Sequence, residues 1–478
     1  MDDFTGDLLL GWPLGNSSLT GPASQQSPLD RARARSLTRA IRYADDRHLL
    51  TFAPTGSGKG VSLIIPNLLH YPGPVIVIDP KGENFAVTAT YRKKVLKQKI
   101  LLLDPFRAVD DRILNRIRVE RCRLNPLDIG TLLPESADLH GNAALPDGEA
   151  PAESPDAESQ MLAEIFVGPS STGENEFWDI SAKRILAALF AHEMEKSRME
   201  RRPSKFSKIV HTVFSDDDPI KSMAKLLDEE KPSKFVLNGI GGGLIYIDAD
   251  VTRAGILACV QSSLSLFHSP KLLEWLDHST ISLGDIQHRE DYTLYIVIPP
   301  NNLASHASLL RAWISVLMHA IMERKSKPTR RTLFILDECA NLGELKVLRK
   351  AVTLLRGYGL QVWMFFQDLA QLQTLYPDSG TIINNCGVVQ AFGLGRLAAA
   401  DPIAKIIGTL KARDLLQMDE RQQAVSMMPG KPQVTRLLRY YSDAAFKGRF
   451  DTNPLVHKVS SRKLPSVPVR MLSQPKDF

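Results

Sequence analysis

The chain has little cysteine and no arrangement of it that would build a site. Four cysteines occur in 478 residues, at Cys122, Cys259, Cys339 and Cys386, with no Cys-x-x-Cys pair and no histidine at metal-ligand spacing. A disulfide scaffold and a cysteine-built zinc site are excluded, and free thiols in a reducing cytosol are expected. No stretch approaches the roughly 18 uninterrupted apolar residues of a membrane helix. The sequence opens Met-Asp-Asp, without a basic region followed by an apolar core, so it does not read as a secretory signal and a soluble chain is expected. Charge of one sign is also scarce. The 59 Lys and Arg face 53 Asp and Glu, and the resulting +6 supports polyanion contact only weakly. No internal repeat is found, which excludes solenoids and propellers.

What is present is apolar material for a sizeable core: 44% hydrophobic against 23% charged residues, at a length that favours two or three domains. Residues 1–46 read as a loosely packed N-terminal arm, rich in Gly, Ser, Pro and Gln up to Leu29, then basic at Arg31, Arg33, Arg35 and Arg39. From His48 to Ala53 a short apolar strand is expected. Val61, Ile64, Ile65, Leu68 and Leu69 then recur at helical spacing on one face. Val75 to Ile78 reads as a strand ending in Asp79-Pro80, and Ile100 to Leu103 as another ending in Asp104-Pro105. Strand, loop, helix, strand is the unit that builds parallel sheets.

Residues 131 to 160, rich in Pro, Gly, Ala and acids, mark a boundary loop. Residues 155 to 283 read as largely helical. Strands resume at Leu294 to Ile298, Leu333 to Leu336, Leu360 to Phe366 and Val388 to Phe392. The expected organisation is a nucleotide-binding domain in two parts, 47–150 and 284–455, around an inserted all-α domain at 151–283, with a C-terminal tail at 456–478.

The chemistry concentrates after the first of these strands. Ala53-Pro54-Thr55-Gly56-Ser57-Gly58-Lys59-Gly60 sits after a strand and at the start of a helix, where a phosphate-binding loop (Walker A) must sit. Its glycines let backbone N–H groups turn toward a phosphate, the helix terminus adds a favourable dipole, and Lys59 supplies a point charge for β and γ phosphates. Thr55, Gly56, Ser57, Gly58, Lys59, Gly60 and Val61 are therefore the candidate nucleotide-binding residues. Two positions depart from G-x-x-x-x-G-K-[ST]: Ala53 replaces the first glycine, and Gly60 replaces the hydroxyl residue that holds Mg²⁺. Thr55, Ser57, Ser62 or water could take the place of that hydroxyl.

Leu333-Phe334-Ile335-Leu336-Asp337-Glu338 is an apolar strand ending in two carboxylates, as a Walker B strand does. There Asp337 would hold Mg²⁺, through water, and Glu338 would orient and polarise the water that attacks the γ-phosphate. The strand at 360–366 ends at Gln367, placed either to sense the γ-phosphate or to make a plain turn contact. Arg356, before Gly357-Tyr358-Gly359, has two readings. It projects from the subunit edge as an arginine finger into a neighbour's site, or it complements the carboxyl end of its own helix. Basic clusters at Arg92, Lys93, Lys94, Lys97 and Lys99, and at Lys325, Lys327, Arg330 and Arg331, fit solvated surface better than phosphate contact.

Together APTGSGKGVSLIIPNLL (53 to 69), VIVIDPKGEN (75 to 84), LNPLD (124 to 128), FW (177 and 178), LFILDECANLG (333 to 343) and LRGYG (355 to 359) resemble the type IV secretion coupling proteins, the TraG-like conjugative ATPases. The resemblance covers roughly residues 48 to 395 in order, and Lys-Gly in the P-loop is usual in that family, so Gly60 becomes a family trait. It implies an α/β, RecA-like P-loop NTPase with a mostly parallel sheet flanked by helices, plus an inserted all-α domain that handles substrate. It further implies ATP and Mg²⁺ as cofactors and homo-hexamers with nucleotide at subunit junctions. Single-stranded DNA with its relaxase, or effector proteins, would be delivered to secretion-channel components. By position it makes Lys59 the phosphate lysine, Asp337 and Glu338 the Walker B pair, Gln367 the sensor and Arg356 the finger. Family members usually begin with a transmembrane anchor. This chain shows none, so contact with the cytoplasmic face of the inner membrane would run through a partner or a missing anchor. The rival readings are an FtsK-like DNA pump outside secretion and a nucleotide-switched docking protein with little turnover.

Overall fold

The computed structural model describes residues 6–14, 37–132, 154–168, 176–216, 218–229, 232–245, 247 and 249–455. The expected tail, 456–478, and Arg31, Arg33 and Arg35 lie outside them. The described strands are β1 (Leu8–Pro13), β2 (Ile41–Tyr43), β3 (His48–Phe52), β4 (Val75–Ile78), β5 (Lys99–Leu103), β6 (Arg121–Cys122), β7 (Tyr292–Ile296), β8 (Thr332–Leu336), β9 (Leu360–Phe366), β10 (Cys386–Ala391), β11 (Gln422–Met427) and β12 (Gln433–Arg436). They form one twelve-stranded sheet in the order β2-β1-β12-β11-β10-β3-β9-β8-β4-β7-β5-β6.

From β10 to β6 every neighbouring pair is parallel, and from β2 to β10 every pair is antiparallel. The central parallel strands β3, β4, β7, β8 and β9 are buried at every residue, which is why their sequences are near-continuous apolar runs. Alternation still sorts their side chains. Leu50, Phe52, Ile76, Ile78, Phe334 and Leu336 face one apolar cluster, and Leu49, Val75, Val77, Leu333, Ile335 and Trp363 face the other.

The first cluster continues without a break into the helices that lie between the two parts of the sheet sequence. These run from Asp156–Val167 and Glu176–Met199 through Leu283–His288, and Phe166, Phe190, Phe206 and Phe267 pack ring against ring among them. The helix Ala307–Met322 joins them to the sheet, and its buried Trp313 donates its indole N–H to the Leu124 carbonyl at 2.9 Å.

Three sequence readings need correction. The segment expected as a loosely packed arm supplies β1 and β2. Leu8, Leu9 and Leu10 are fully buried, and Asn67 clasps Leu9 by accepting from its N–H at 2.7 Å and donating to its carbonyl at 2.9 Å. The helix after the phosphate loop is covered on both faces. Leu63, Ile64 and Leu68 pack on the sheet, whereas Ile65 and Leu69 pack beneath Leu438, Tyr440 and Phe446 of the C-terminal segment. Arg92, read as part of a surface cluster, is wholly buried, and its guanidinium donates to the carbonyls of Leu68, Tyr71 and Gly73.

Candidate functional site

Strand order decides what meets. β3, β9, β8 and β4 are consecutive neighbours, so the turns leaving their carboxyl ends lie side by side, where ligands bind open parallel sheets. Those turns carry, in order, Lys59, Gln367, the pair Asp337-Glu338, and Asp79-Pro80-Lys81. They line one cleft of about 410 Å³ together with Thr55, Gly56, Gly58, Gly60, Val61 and Asn341, a size within the range of small-ligand sites.

The loop after β3 is fixed by its own bonds. The Ala53 N–H donates to the Phe366 carbonyl at 2.9 Å, and the Ser57 hydroxyl donates to the Pro54 carbonyl at 2.7 Å. Gly56 and Gly58 adopt φ of 81° and 94°, which glycine alone takes without strain. Ala53 is not among the positive-φ residues, so its Cβ costs nothing there. At Gly60 an added Cβ would meet nothing within 4 Å, so sterics do not explain the missing hydroxyl. Of the three hydroxyls that could replace it, Thr55 lines the cleft. Ser57 is turned to its own loop, and the Ser62 hydroxyl is buried without a partner, away from the cleft lining.

Lys59, only 7% exposed, donates to the Ala53 carbonyl at 3.2 Å and to Glu338 Oε1 at 2.9 Å. Gln367 Nε2 donates to Glu338 Oε2 at 3.2 Å, and the Gln367 N–H donates to Gln371 Oε1 at 2.9 Å. The P-loop cation, the second Walker B carboxylate and the strand-end glutamine thus form one connected set. Glu338 sits at φ 56°, an uncommon conformation for a residue with a side chain, at the turn into Cys339–Leu342.

Asp337 is half-buried, and its Oδ1, which is itself shielded from solvent, has no hydrogen-bond partner. Burial pushes its carboxyl up to about 6, against the opposing pull of the Lys59 charge, while Glu338 pushes the same way as burial. A buried carboxylate oxygen left unpaired on a cleft wall is a fitting donor for a hard cation or its bound water. Among the described residues no group of three or more His, Cys, Asp and Glu is placed to hold a metal. Mg²⁺ takes one or two carboxylates plus phosphate and water, and Asp337 Oδ1 is a donor of that kind.

Asp79 was not singled out by sequence reasoning. Its Oδ2 accepts from the Phe85 N–H at 2.9 Å at the start of helix Glu83–Lys94, and burial pushes its carboxyl up to about 7. The repeated strand-then-Asp-Pro pattern was the signal that could have found it. The backbone at Arg356 is remote from this cleft. It lies in the turn Leu355–Tyr358 ahead of β9, at the opposite end of that strand from Gln367, about 20 Å away at the usual rise per residue.

The family described as Type IV secretory system Conjugative DNA transfer matches residues 26–124 and 149–426. The chain is 26% identical over 390 residues to the conjugal transfer protein TraG of Escherichia coli, covering 77% of this chain and 56% of that protein. It is 25% identical over 445 residues to protein VirD4 of Rhizobium radiobacter, covering 84% and 58%. It therefore spans somewhat over half the length of these relatives. Among solved structures it shares the fold of the bacterial conjugative coupling protein TrwB. The TrwB form with sulphate matches at TM-score 0.61 and 15% identity, over 91% of this chain and 97% of that one. The form with ADP and Mg²⁺ matches at 0.59 and 15%, over 91% and 95%. Among the described residues no helix is long and apolar enough to cross a membrane.

Proposed function

The chain belongs to the type IV secretory system conjugative DNA transfer family, and from that premise we propose that it is an ATP-hydrolysing coupling protein. It recruits DNA with its relaxase, or effector proteins, and drives them into a type IV secretion channel from the cytoplasmic face of the inner membrane. The observation that carries the chemistry is the junction of Lys59, Glu338 and Gln367 through contacts of 2.9 and 3.2 Å at the ends of three adjacent parallel strands.

In this reading the N–H groups from Thr55 to Val61 hold the phosphates and Lys59 leaves Glu338 to bridge the β and γ phosphates. The freed Glu338 carboxylate takes the proton of the attacking water, and Gln367 orients that water or the γ-phosphate. Mg²⁺, held on the Asp337 side, would neutralise phosphate charge when bound. TrwB has been solved with ADP and Mg²⁺ and with non-hydrolysable ATP and GTP analogues, which supports the same ligands here. The active form is a homo-hexamer in which Arg356 reaches a neighbour's nucleotide, and the helical insertion at 151–283 handles substrate.

The test is ATP hydrolysis with and without single-stranded DNA, for the wild type and Glu338→Gln, at concentrations that permit assembly. Turnover that rises with DNA and collapses in the variant upholds the proposal. Wild type and variant equally slow under all conditions would leave a nucleotide-switched docking role as the better account.

A further inference from the structure

One cation of this cleft has no task in the mechanism above. Asp79-Pro80-Lys81-Gly82 is a tight turn at the end of β4, closed by the Gly82 N–H donating to the Asp79 carbonyl at 3.0 Å. Pro80 sets the second position of the turn, and Gly82, at φ 67°, completes it. Asp79 anchors the turn from beneath through the Phe85 N–H. Lys81 stands third in the turn, exposed, lining the cleft, with no hydrogen bond or ion pair among the described residues. Its charge is felt at Asp337, where it opposes the effect of burial.

We propose that Lys81 is a second phosphate-binding cation, which contacts the transferring γ-phosphoryl group from the side opposite Lys59. The sheet places Lys59 on the P-loop side of Glu338, and the Lys81 turn follows the strand on its other side, one strand spacing of about 4.8 Å away. In hydrolysis the bond from Pγ to the β–γ bridging oxygen breaks, with its electron pair leaving on ADP. The water oxygen bonds to Pγ, and the water's proton passes to the Glu338 carboxylate before release to solvent. The phosphoryl group therefore moves away from the P-loop toward the water at Glu338, and so toward Lys81. A cation there gains contact as the reaction proceeds, which is the condition for lowering the barrier rather than only tightening binding. A lysine in cis would supply part of the charge that an arginine finger supplies in trans.

This rests on the hydrolysis reading above, so the experiment carries its controls. Steady-state hydrolysis and equilibrium binding of ADP, with and without aluminium fluoride, are measured for the wild type, Lys81→Ala, Lys81→Arg and Lys59→Ala. Lys81 is exposed, so its replacement should leave the fold intact. The expected result is a kcat lower by roughly 10²- to 10³-fold in Lys81→Ala, a similar loss of affinity for ADP with aluminium fluoride, and ADP affinity within about threefold of wild type. Lys81→Arg recovers part of both. The proposal is overturned if Lys81→Ala keeps kcat within threefold while Lys59→Ala is inactive, which leaves hydrolysis standing without Lys81. It is equally overturned if ADP and its aluminium fluoride complex weaken alike. A wild type that does not hydrolyse ATP under any condition takes down the hydrolysis reading and this inference together.

Discussion

The Lys59–Glu338 contact makes a quantitative demand on nucleotide binding. Before Lys59 can serve a phosphate it must leave a carboxylate 2.9 Å away, with the two side chains only 7% and 21% exposed. A charge-assisted hydrogen bond is worth about 1.5–3 kcal/mol. Glu338 keeps some solvent, so the cost of separation is closer to 1–2 kcal/mol. Glu338→Gln removes that competition without removing volume, and at 1.4 kcal/mol per decade it should tighten ATP binding by roughly 5- to 30-fold. The same variant should hydrolyse ATP at least 10²-fold more slowly, because the group proposed to take the water's proton is gone. Titration of a fluorescent non-hydrolysable ATP analogue against both proteins, at low and high salt, reads the first effect, and single-turnover hydrolysis reads the second. Equal or weaker binding by Glu338→Gln would show that the pair does not compete with phosphate, and the account of Lys59 as a shared cation would have to be abandoned.

Three further outcomes follow from the same structure. Arg92→Met withdraws the guanidinium from three buried carbonyls, and even with relief from burying a charge it should cost about 3 kcal/mol. Thermal unfolding should then show Tm lower by roughly 3–6 °C, and a change under 1 °C would refute the capping role. Asp79 has its carboxyl pushed up to about 7 by burial. A folded value above the unfolded one means that the native state holds the extra proton between about pH 4 and 7, so stability falls as pH rises through that window. Asp79→Asn should flatten this slope and raise stability at pH 8 by on the order of 2–4 kcal/mol, read as denaturation midpoints at pH 5 and 8. Arg356→Ala should bind ATP within twofold of wild type yet hydrolyse slowly, and mixing it with Glu338→Gln subunits should restore part of the rate. Mixtures no more active than their components would argue against a finger acting in trans.

How much was legible depended on burial. β4 and β9 were read to the residue because parallel strands covered on both faces are continuous apolar runs. β1, β2, β6, β11 and β12 were missed for physical reasons. β2 and β6 have three and two residues, and β11 and β12 carry Gln422, Gln423, Gln433 and Arg436 among few apolar residues. β1 owes its place to a partner far along the chain, β12. In the site, Lys59, Asp337, Glu338 and Gln367 could be found because each directly follows a strand or phosphate-loop signal. Asp79 and Lys81 follow a strand just as plainly. What assigns them to this cleft is the adjacency of β4 and β8, and strand order is not written in local pattern.

The departures from ordinary local structure gather at the cleft. Glu338 takes a left-handed backbone conformation, Asp337 has a buried, unpaired Oδ1, and Asp79 is buried with its carboxyl raised. Each costs on the order of 1–3 kcal/mol, and each stands at the end of a strand whose residues are wholly buried. A rigid parallel core can hold such groups where a loop could not, because neighbouring strands on both sides fix the turn. The cost has a direction. A polyphosphate would give Lys59 an anion that releases Glu338, and a bound cation would give Asp337 Oδ1 the partner it lacks, so ligand binding relieves what folding alone leaves unmet.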